Sequence, residues 1–271
     1  MVLFPNCKIN LGLNIIRKRE DGYHDLETVF YPIALKDALE AIRTGEQGIR
    51  FNSSGLTVAG NPDDNLCVKA YRLLKQDFPE IGGIEMHLHK QIPMGAGLGG
   101  GSADGAFALL LLNRLFALQL SEEQLIRYAL QLGSDCPFFI LNKPCLATGR
   151  GEIMRPVTLD LSPYRFLLIN PGIHVSTARA FAGIQPHTPT QSVADIIQLP
   201  ISQWKDLLVN DFEKNVAGAY PEVTAIKEEL YAKGALYASM TGSGSTVYGI
   251  FEKTSRAVIT PQPGWTFHQT D

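Results

Sequence analysis

The chain has 271 residues, 45% hydrophobic and 19% charged, with 24 Lys and Arg against 27 Asp and Glu for a formal charge of −3. At roughly 150 residues per domain this length suits two domains, and the composition excludes a disordered tail or a fibrous repeat. Such a charge balance excludes broad neutralisation of nucleic-acid phosphates, whereas a small polyanion needs only a few local cations and a helix N-terminus.

The longest near-uniform apolar run, Ala106 to Leu112, falls far short of the ~20 residues of a membrane span. Met1-Val2-Leu3-Phe4-Pro5 carries neither a basic n-region nor a small-residue cleavage site. The expected setting is therefore cytoplasmic, with no membrane and no nucleic-acid partner. Cys7, Cys67, Cys136 and Cys145 form no C-x-x-C pair and read as reduced thiols.

In chain order, Lys8 to Ile15 alternates polar and apolar residues, the period of a half-buried strand, which puts Lys8 and Asn10 on one face. Asp21-Gly22 signals a tight turn. Asn61 to Asn65 opens a helix expected from Leu66 to about Phe78, closed by Pro79. Ile84, Met86 and Leu88 alternate with Glu85, His87 and His89, so 84–90 reads as a half-exposed strand. Its H-x-H pair has no identifiable third ligand, and exposed histidines are the better reading. A helix buried on most sides is expected from Ser102 to Leu118. Ser121-Glu122-Glu123-Gln124 has capping-box spacing and starts another.

Phe166 to Ile169 reads as a buried strand ended by Asn170-Pro171-Gly172, and 185–190 as a loop. Helices are expected near 202–216 and 221–233, then a strand from Thr246 to Phe251 after Gly242-Ser243-Gly244. The pattern is α+β. A connection bracketed by Pro156 and Pro163 sets the expected domains at 1–157 and 158–271.

The strongest signal is Pro93-Met94-Gly95-Ala96-Gly97-Leu98-Gly99-Gly100-Gly101-Ser102-Ala103. Glycines let backbone N–H groups converge, and the following helix aims its positive dipole end at the same place, so strand, glycine loop and helix together suit a phosphate. A packed turn is the bland alternative, but it rarely needs more than two glycines. A Walker A loop is excluded, because no Gly-Lys dipeptide occurs. Gly95-x-Gly97-x-x-Gly100 matches the dinucleotide fingerprint in letters only. The strand before it alternates, and Glu122 and Glu123 sit in a helix cap rather than ending a strand. Nicotinamide chemistry stays as a runner-up.

The loop resembles the ATP-binding signature of the galactokinase, homoserine kinase, mevalonate kinase and phosphomevalonate kinase (GHMP) superfamily. Its triple-glycine form resembles the branch that serves the non-mevalonate isoprenoid route. Six further segments are similar to that branch, in order: Pro5-Asn6-Cys7-Lys8-Ile9-Asn10-Leu11, Asp21-Gly22-Tyr23-His24-Asp25-Leu26, Gly133-Ser134-Asp135-Cys136-Pro137-Phe138-Phe139, Gly149-Arg150-Gly151-Glu152, Asn170-Pro171-Gly172 and Met240-Thr241-Gly242-Ser243-Gly244-Ser245. The resemblance implies an N-terminal ribosomal-protein-S5-like domain and a C-terminal ferredoxin-like domain. The implied activity is ATP-dependent phosphorylation of the 2-hydroxyl of a methylerythritol carried on cytidine diphosphate. The implied partner is that small molecule, with the chain a monomer or weak homodimer.

The resemblance also implies roles. Phosphoryl transfer to an alcohol needs a proton acceptor, and Asp135 matches the family's catalytic aspartate; the alternative is an Asp that caps a helix or turn. Lys8 matches the lysine beside that aspartate, although a strand lysine is ordinarily a solvated charge. ATP falls to the loop residues 93–103 with Asn65 and Lys90. Asn10 orients substrate or nucleotide, and Tyr23 and His24 read the cytidine. Phe181 either supplies the opposite face of a base sandwich or packs in the core. Gly100 and Gly101 stand where many members carry serines, so Mg²⁺, expected with ATP, has no assigned protein ligand. A homoserine-type kinase and a non-catalytic nucleotide binder are the competing readings.

Overall fold

The computed structural model describes residues 1–58, 60–255, 259 and 262–270. The first part is mostly strand: β1 (Val2–Leu3), β2 (Asn6–Lys18), β3 (His24–Lys36), β4 (Ala38–Thr44) and β5 (Ile49–Gly55). Then come α1 (Leu66–Asp77), β6 (Gly83–Lys90), α2 (Gly100–Leu115), α3 (Glu122–Leu132), α4 (Cys136–Leu141), β7 (Cys145–Thr148), β8 (Ile153–Pro156) and β9 (Tyr164–Asn170). The last part holds α5 (Thr177–Phe181), α6 (Val193–Ile196), α7 (Asp211–Ala219), α8 (Pro221–Ala232), β10 (Tyr237–Met240), β11 (Val247–Glu252) and β12 (Thr266–Thr270). The α+β class expected from the sequence is the one formed. None of the helices among the described residues is long and apolar enough to cross a membrane.

The chain forms two compact units, each of several segments. The first comprises Met1–Cys7, Ala34–Met94 and Gly99–Lys143; the second comprises Lys8–Ile33, Gly95–Leu98 and Pro144–Asp271. In the first, a sheet of order β1-β4-β6-β5 is antiparallel except for the parallel pair β5 and β6. The register sets Leu39 opposite Leu88 and Ala41 opposite Met86. All four are buried, so one face of β4 and β6 meets the core while His87 and His89 point outward as expected. Both histidines bond the Ser54 hydroxyl of β5, at 2.8 and 2.9 Å. α1 packs on α2, and α2 on α4.

The second unit holds a sheet of order β2-β3-β7-β8 and an antiparallel sheet of order β10-β11-β9-β12, with α8 against β10 and β11. One buried cluster joins Leu13 and Ile15 of β2 to Leu167 and Ile169 of β9, Phe212 and Val216 of α7, and Val247 and Phe251 of β11. The packing therefore runs across the connection at 157/158.

Several local expectations are met. α1 stops one residue short of Phe78 with Pro79 beyond it, and Ser121 and Gln124 exchange both bonds of a capping box at α3. Others are corrected. β2 was expected to be half-exposed, yet all residues from Asn6 to Ile15 are buried, because its polar side chains bond other protein groups instead of water. α2 begins at Gly100 rather than Ser102 and ends at Leu115, since Ala117 and Gln119 turn left-handed (φ 52° and 57°). The helix expected over 202–216 is a single turn at Ile201–Gln203 followed by α7, which starts only where Asn210 caps it through the Phe212 N–H. The four cysteines are buried and none is in a disulfide.

Candidate active site

The glycine loop begins at Pro93, three residues past the end of β6. Gly95, Gly97 and Gly99 all lie at positive φ (66°, 80° and 69°), one more than the packed-turn alternative needs. A Cβ on Gly97 would overlap the carbonyl oxygen of Thr241, and one on Gly244 would overlap the carbonyl carbon of Ala96. The stretch Gly95–Leu98 thus lies backbone to backbone against the second glycine loop, an approach only glycine permits. Asn210 steadies that second loop by donating to the carbonyls of Met240 and Gly242, both at 2.9 Å. Ala96 and Leu98 are buried, while Met94 and Gly95 are exposed.

Gly99 precedes α2 with no side-chain cap, so the start of this 16-residue helix is open to an anion. A Cβ on Gly101 would meet no heavy atom within 4 Å, leaving room beside the first turn. Ser102, in that turn, shares a hydrogen bond with the thiol of Cys136, which burial pushes up to about 12.

Asp135 directly precedes Cys136 at the N-cap position of α4, yet its side chain makes no capping bond. Its backbone carbonyl accepts from Phe138 instead.

In the second unit Lys8 is 4% exposed, so it is not the solvated charge that a strand lysine ordinarily is. Its ammonium donates to Asn10 Oδ1 at 2.6 Å and lies 4.7 Å from the centre of the Phe30 ring. Its backbone N–H donates to the Leu98 carbonyl at 3.0 Å, which ties β2 to the glycine loop. Asn10 Nδ2 donates to Thr28 Oγ1 at 3.0 Å, and Asn10 Oδ1 also accepts from Thr241 Oγ1 at 3.3 Å. The amide of Asn10 is thus engaged by the chain's own groups and holds Lys8. Thr28 and Thr241 complete the arrangement, and sequence reasoning did not single them out. The motif around Thr241 was the signal available for one of them.

Tyr23 is exposed at the end of a turn closed by Arg19 N–H to Tyr23 O at 2.8 Å, and the Arg150 guanidinium lies 4.9 Å from its ring centre. Charge pairs stiffen this turn. Hydrogen bonds from Arg19 hold the Asp21 carboxyl below its usual range, and Arg17 and then Arg19 do the same to Asp25. His24 stacks on Phe181, with ring centres 4.7 Å apart and planes 24° apart, and Phe181 sets its edge on Phe212 at 4.7 Å. Phe181 thus packs on His24 on one side and against the buried cluster around Phe212 on the other.

Asn65 caps α1, accepting from the Cys67 N–H at 2.9 Å. Lys90 corrects another expectation. Its side chain is fully buried, and its ammonium donates to Asp37 and Asp104, so it does not reach out to a ligand. Among the described residues no group of three or more His, Cys, Asp or Glu side chains is arranged to hold a metal ion. A cavity of about 540 Å³ in the second unit, lined in part by Gly183, Ile184, Asn210 and Lys214, contains none of the residues singled out from the sequence.

Residues 65–143 match the model of the GHMP kinases N terminal domain, and residues 194–259 that of the GHMP kinases C terminal domain. The 4-diphosphocytidyl-2-C-methyl-D-erythritol kinase of Bacteroides thetaiotaomicron is 55% identical over 254 residues, covering 93% of this chain and 92% of that protein. A crystal structure of 4-(cytidine 5'-diphospho)-2C-methyl-D-erythritol kinase superposes with a TM-score of 0.80 at 32% identity, covering 92% of this chain and 90% of that one. A mevalonate kinase structure shares the fold alone, with a TM-score of 0.73 at 13% identity over 94% of this chain and 92% of that one. The chain belongs to the GHMP kinases and, within them, to the 4-diphosphocytidyl-2-C-methyl-D-erythritol kinase family.

Proposed function

We propose that this chain transfers the γ-phosphoryl group of ATP to the 2-hydroxyl of 4-diphosphocytidyl-2-C-methyl-D-erythritol, giving the 2-phosphate and ADP. The observation that carries the reading is the loop, in which left-handed glycines lead into a helix N-terminus with no side-chain cap. Backbone N–H groups and the helix dipole there suit the triphosphate. The uncapped Asp135 suits a general base, since an alcohol is barely ionised at neutral pH. In a direct in-line transfer the 2-oxygen bonds to the γ-phosphorus, the bond to the β–γ bridging oxygen breaks, and the hydroxyl proton goes to Asp135. The buried Lys8 ammonium, held by Asn10, suits the charge that develops on the acceptor oxygen.

Mg²⁺ is proposed to arrive with ATP, bound by phosphates and water as is its habit. The described residues offer no cage of His, Cys, Asp or Glu side chains for it. The exposed Tyr23 and its neighbour His24 are assigned to the cytidine end. The division into 1–157 and 158–271 is proposed as one of labour, with the nucleotide-binding and catalytic residues in the first part. A small-molecule acceptor is the working partner, nucleic acid is not, and the chain acts in the cytoplasm as a monomer or weak homodimer. The test follows ADP release from Mg-ATP with the cytidyl acceptor, mevalonate and homoserine in parallel. Release specific to the cytidyl acceptor is expected; turnover only with one of the others would overturn the substrate.

A further inference from the structure

Three ionisable side chains are sealed inside the first unit. The Lys90 ammonium donates to Asp37 Oδ2 at 2.5 Å and to Asp104 Oδ2 at 2.7 Å, with the lysine, Asp37 and Asp104 side chains 0%, 0% and 4% exposed. A buried ion cluster of this kind is often no more stable than well-packed apolar side chains of the same volume. What distinguishes this one is what it joins. Asp37 Oδ1 accepts from the backbone N–H groups of Gln91 (2.6 Å) and Ile92 (2.8 Å), the last two residues before the glycine loop. Asp104 stands on α2, one turn beyond Gly100. The same ammonium underlies that turn: a Cβ on Gly100 would come within 3.0 Å of Lys90 Nζ and 2.8 Å of Ile92 Cγ2. Asp104 Oδ1 is buried with no hydrogen-bond partner.

We propose that Asp37, Lys90 and Asp104 are positioning residues that fix the span between the two ends of the glycine loop and so set its grip on nucleotide phosphates. The inference rests on the ATP reading above. It replaces direct contact by the Lys90 side chain with action through the loop's anchors, the peptide groups entering it and the helix turn leaving it.

The cluster is also sensitive to pH. Burial pushes the Asp104 carboxyl up to about 8, against the pull of Lys90 and with the help of Asp37. The groups facing it are Lys90 from β6, Asp37 from the β3–β4 connection and the Cys67 thiol of α1, which burial and then Asp104 push well above the usual range. A carboxyl raised in the folded state holds a proton that the unfolded chain releases above about pH 4. Its contribution to folding is therefore full below that pH, declines above it and is lost as pH rises through about 8. Deprotonation leaves a second buried carboxylate on one lysine, with an oxygen unpartnered.

The experiment measures calorimetric binding of the magnesium complex of a non-hydrolysable ATP analogue, and of cytidine diphosphate, to the full chain as wild type, Asp104→Leu and Asp104→Asn. Asp104→Leu is expected to bind the analogue about tenfold more weakly with cytidine diphosphate unaffected, and the neutral isostere Asp104→Asn to restore affinity at pH 7. A folded Asp104→Leu with wild-type affinity, or one weakened equally for both ligands, overturns the inference. If Asp104→Leu does not fold, the pH arm decides: wild-type affinity for the analogue should fall between pH 7 and 9 while that of Asp104→Asn stays flat. Parallel curves overturn the inference. Wild type that binds no ATP analogue at all overturns the parent reading and this one with it.

Discussion

Asp135→Asn removes the proposed proton acceptor without deleting a helix cap, since the side chain makes no capping bond at α4. Turnover should fall on the order of 10²–10⁴-fold with affinity for ATP retained, as stopped assays and direct nucleotide binding would show. Near-normal turnover would remove Asp135 from the mechanism. His24→Ala should raise KM for the cytidyl acceptor and leave that for ATP unchanged, and steady-state kinetics varying each substrate in turn would check it. The stack of His24 on Phe181 adds that Phe181→Ala should disturb the acceptor side too, by releasing His24. The pairing of Lys8 with Asn10 was legible in the sequence, since a two-residue period puts both on one strand face. What holds Asn10 was not, because Thr28 and Thr241 lie 18 and 231 positions away. Lys90 misled for the same reason. The alternation of its strand puts it on the inward face with Ile84, Met86 and Leu88, and only the fold brings Asp37 and Asp104 onto its ammonium.

Among the elements, α3 was the most legible. Both bonds of its capping box, Gln124 N–H to Ser121 Oγ and Ser121 N–H to Gln124 Oε1, close within three residues. Ser121→Ala should cost about 1 kcal/mol, a fall in melting temperature of about 2 °C in a chain of this size. An unchanged melting curve would show that packing alone fixes the helix start. β2 was legible as a strand but not in its burial, since alternation reports which residues are polar and says nothing of what covers them. The start of α2 was missed because glycine disfavours helix interiors, yet Gly100 and Gly101 take helical backbone once Gly99 has made the turn. Residues 202–210 carry apolar side chains at helical spacing, but Asn210 takes the Phe212 N–H and starts α7 there.

For the chain as a whole, the units are interleaved. Residues 8–33 and 95–98 belong with 144–271, while 1–7, 34–94 and 99–143 form the other unit. Leu13 and Ile15 share a core with Leu167, Phe212 and Phe251, so cutting at 157/158 would strip apolar partners from both pieces. Fragments 1–157 and 158–271, expressed separately, are each expected to lack a cooperative thermal transition. A sharp melt with near-ultraviolet dichroism from either one would contradict that. The two-part organisation was legible from motif order, the interleaving was not, because no local pattern records which distant strand a segment will join. The interleaving also sets a timetable for synthesis. The strand that carries Leu13 and Ile15 is made early, whereas the β9, α7 and β11 residues that share its buried cluster are made only after residue 143. At about 5–20 residues per second this leaves β2 without these core partners for roughly ten seconds. Nascent chains halted near residue 140 should therefore be cut by protease within 8–33, where the finished protein resists, and for that interval the apolar strand is a natural client for a chaperone.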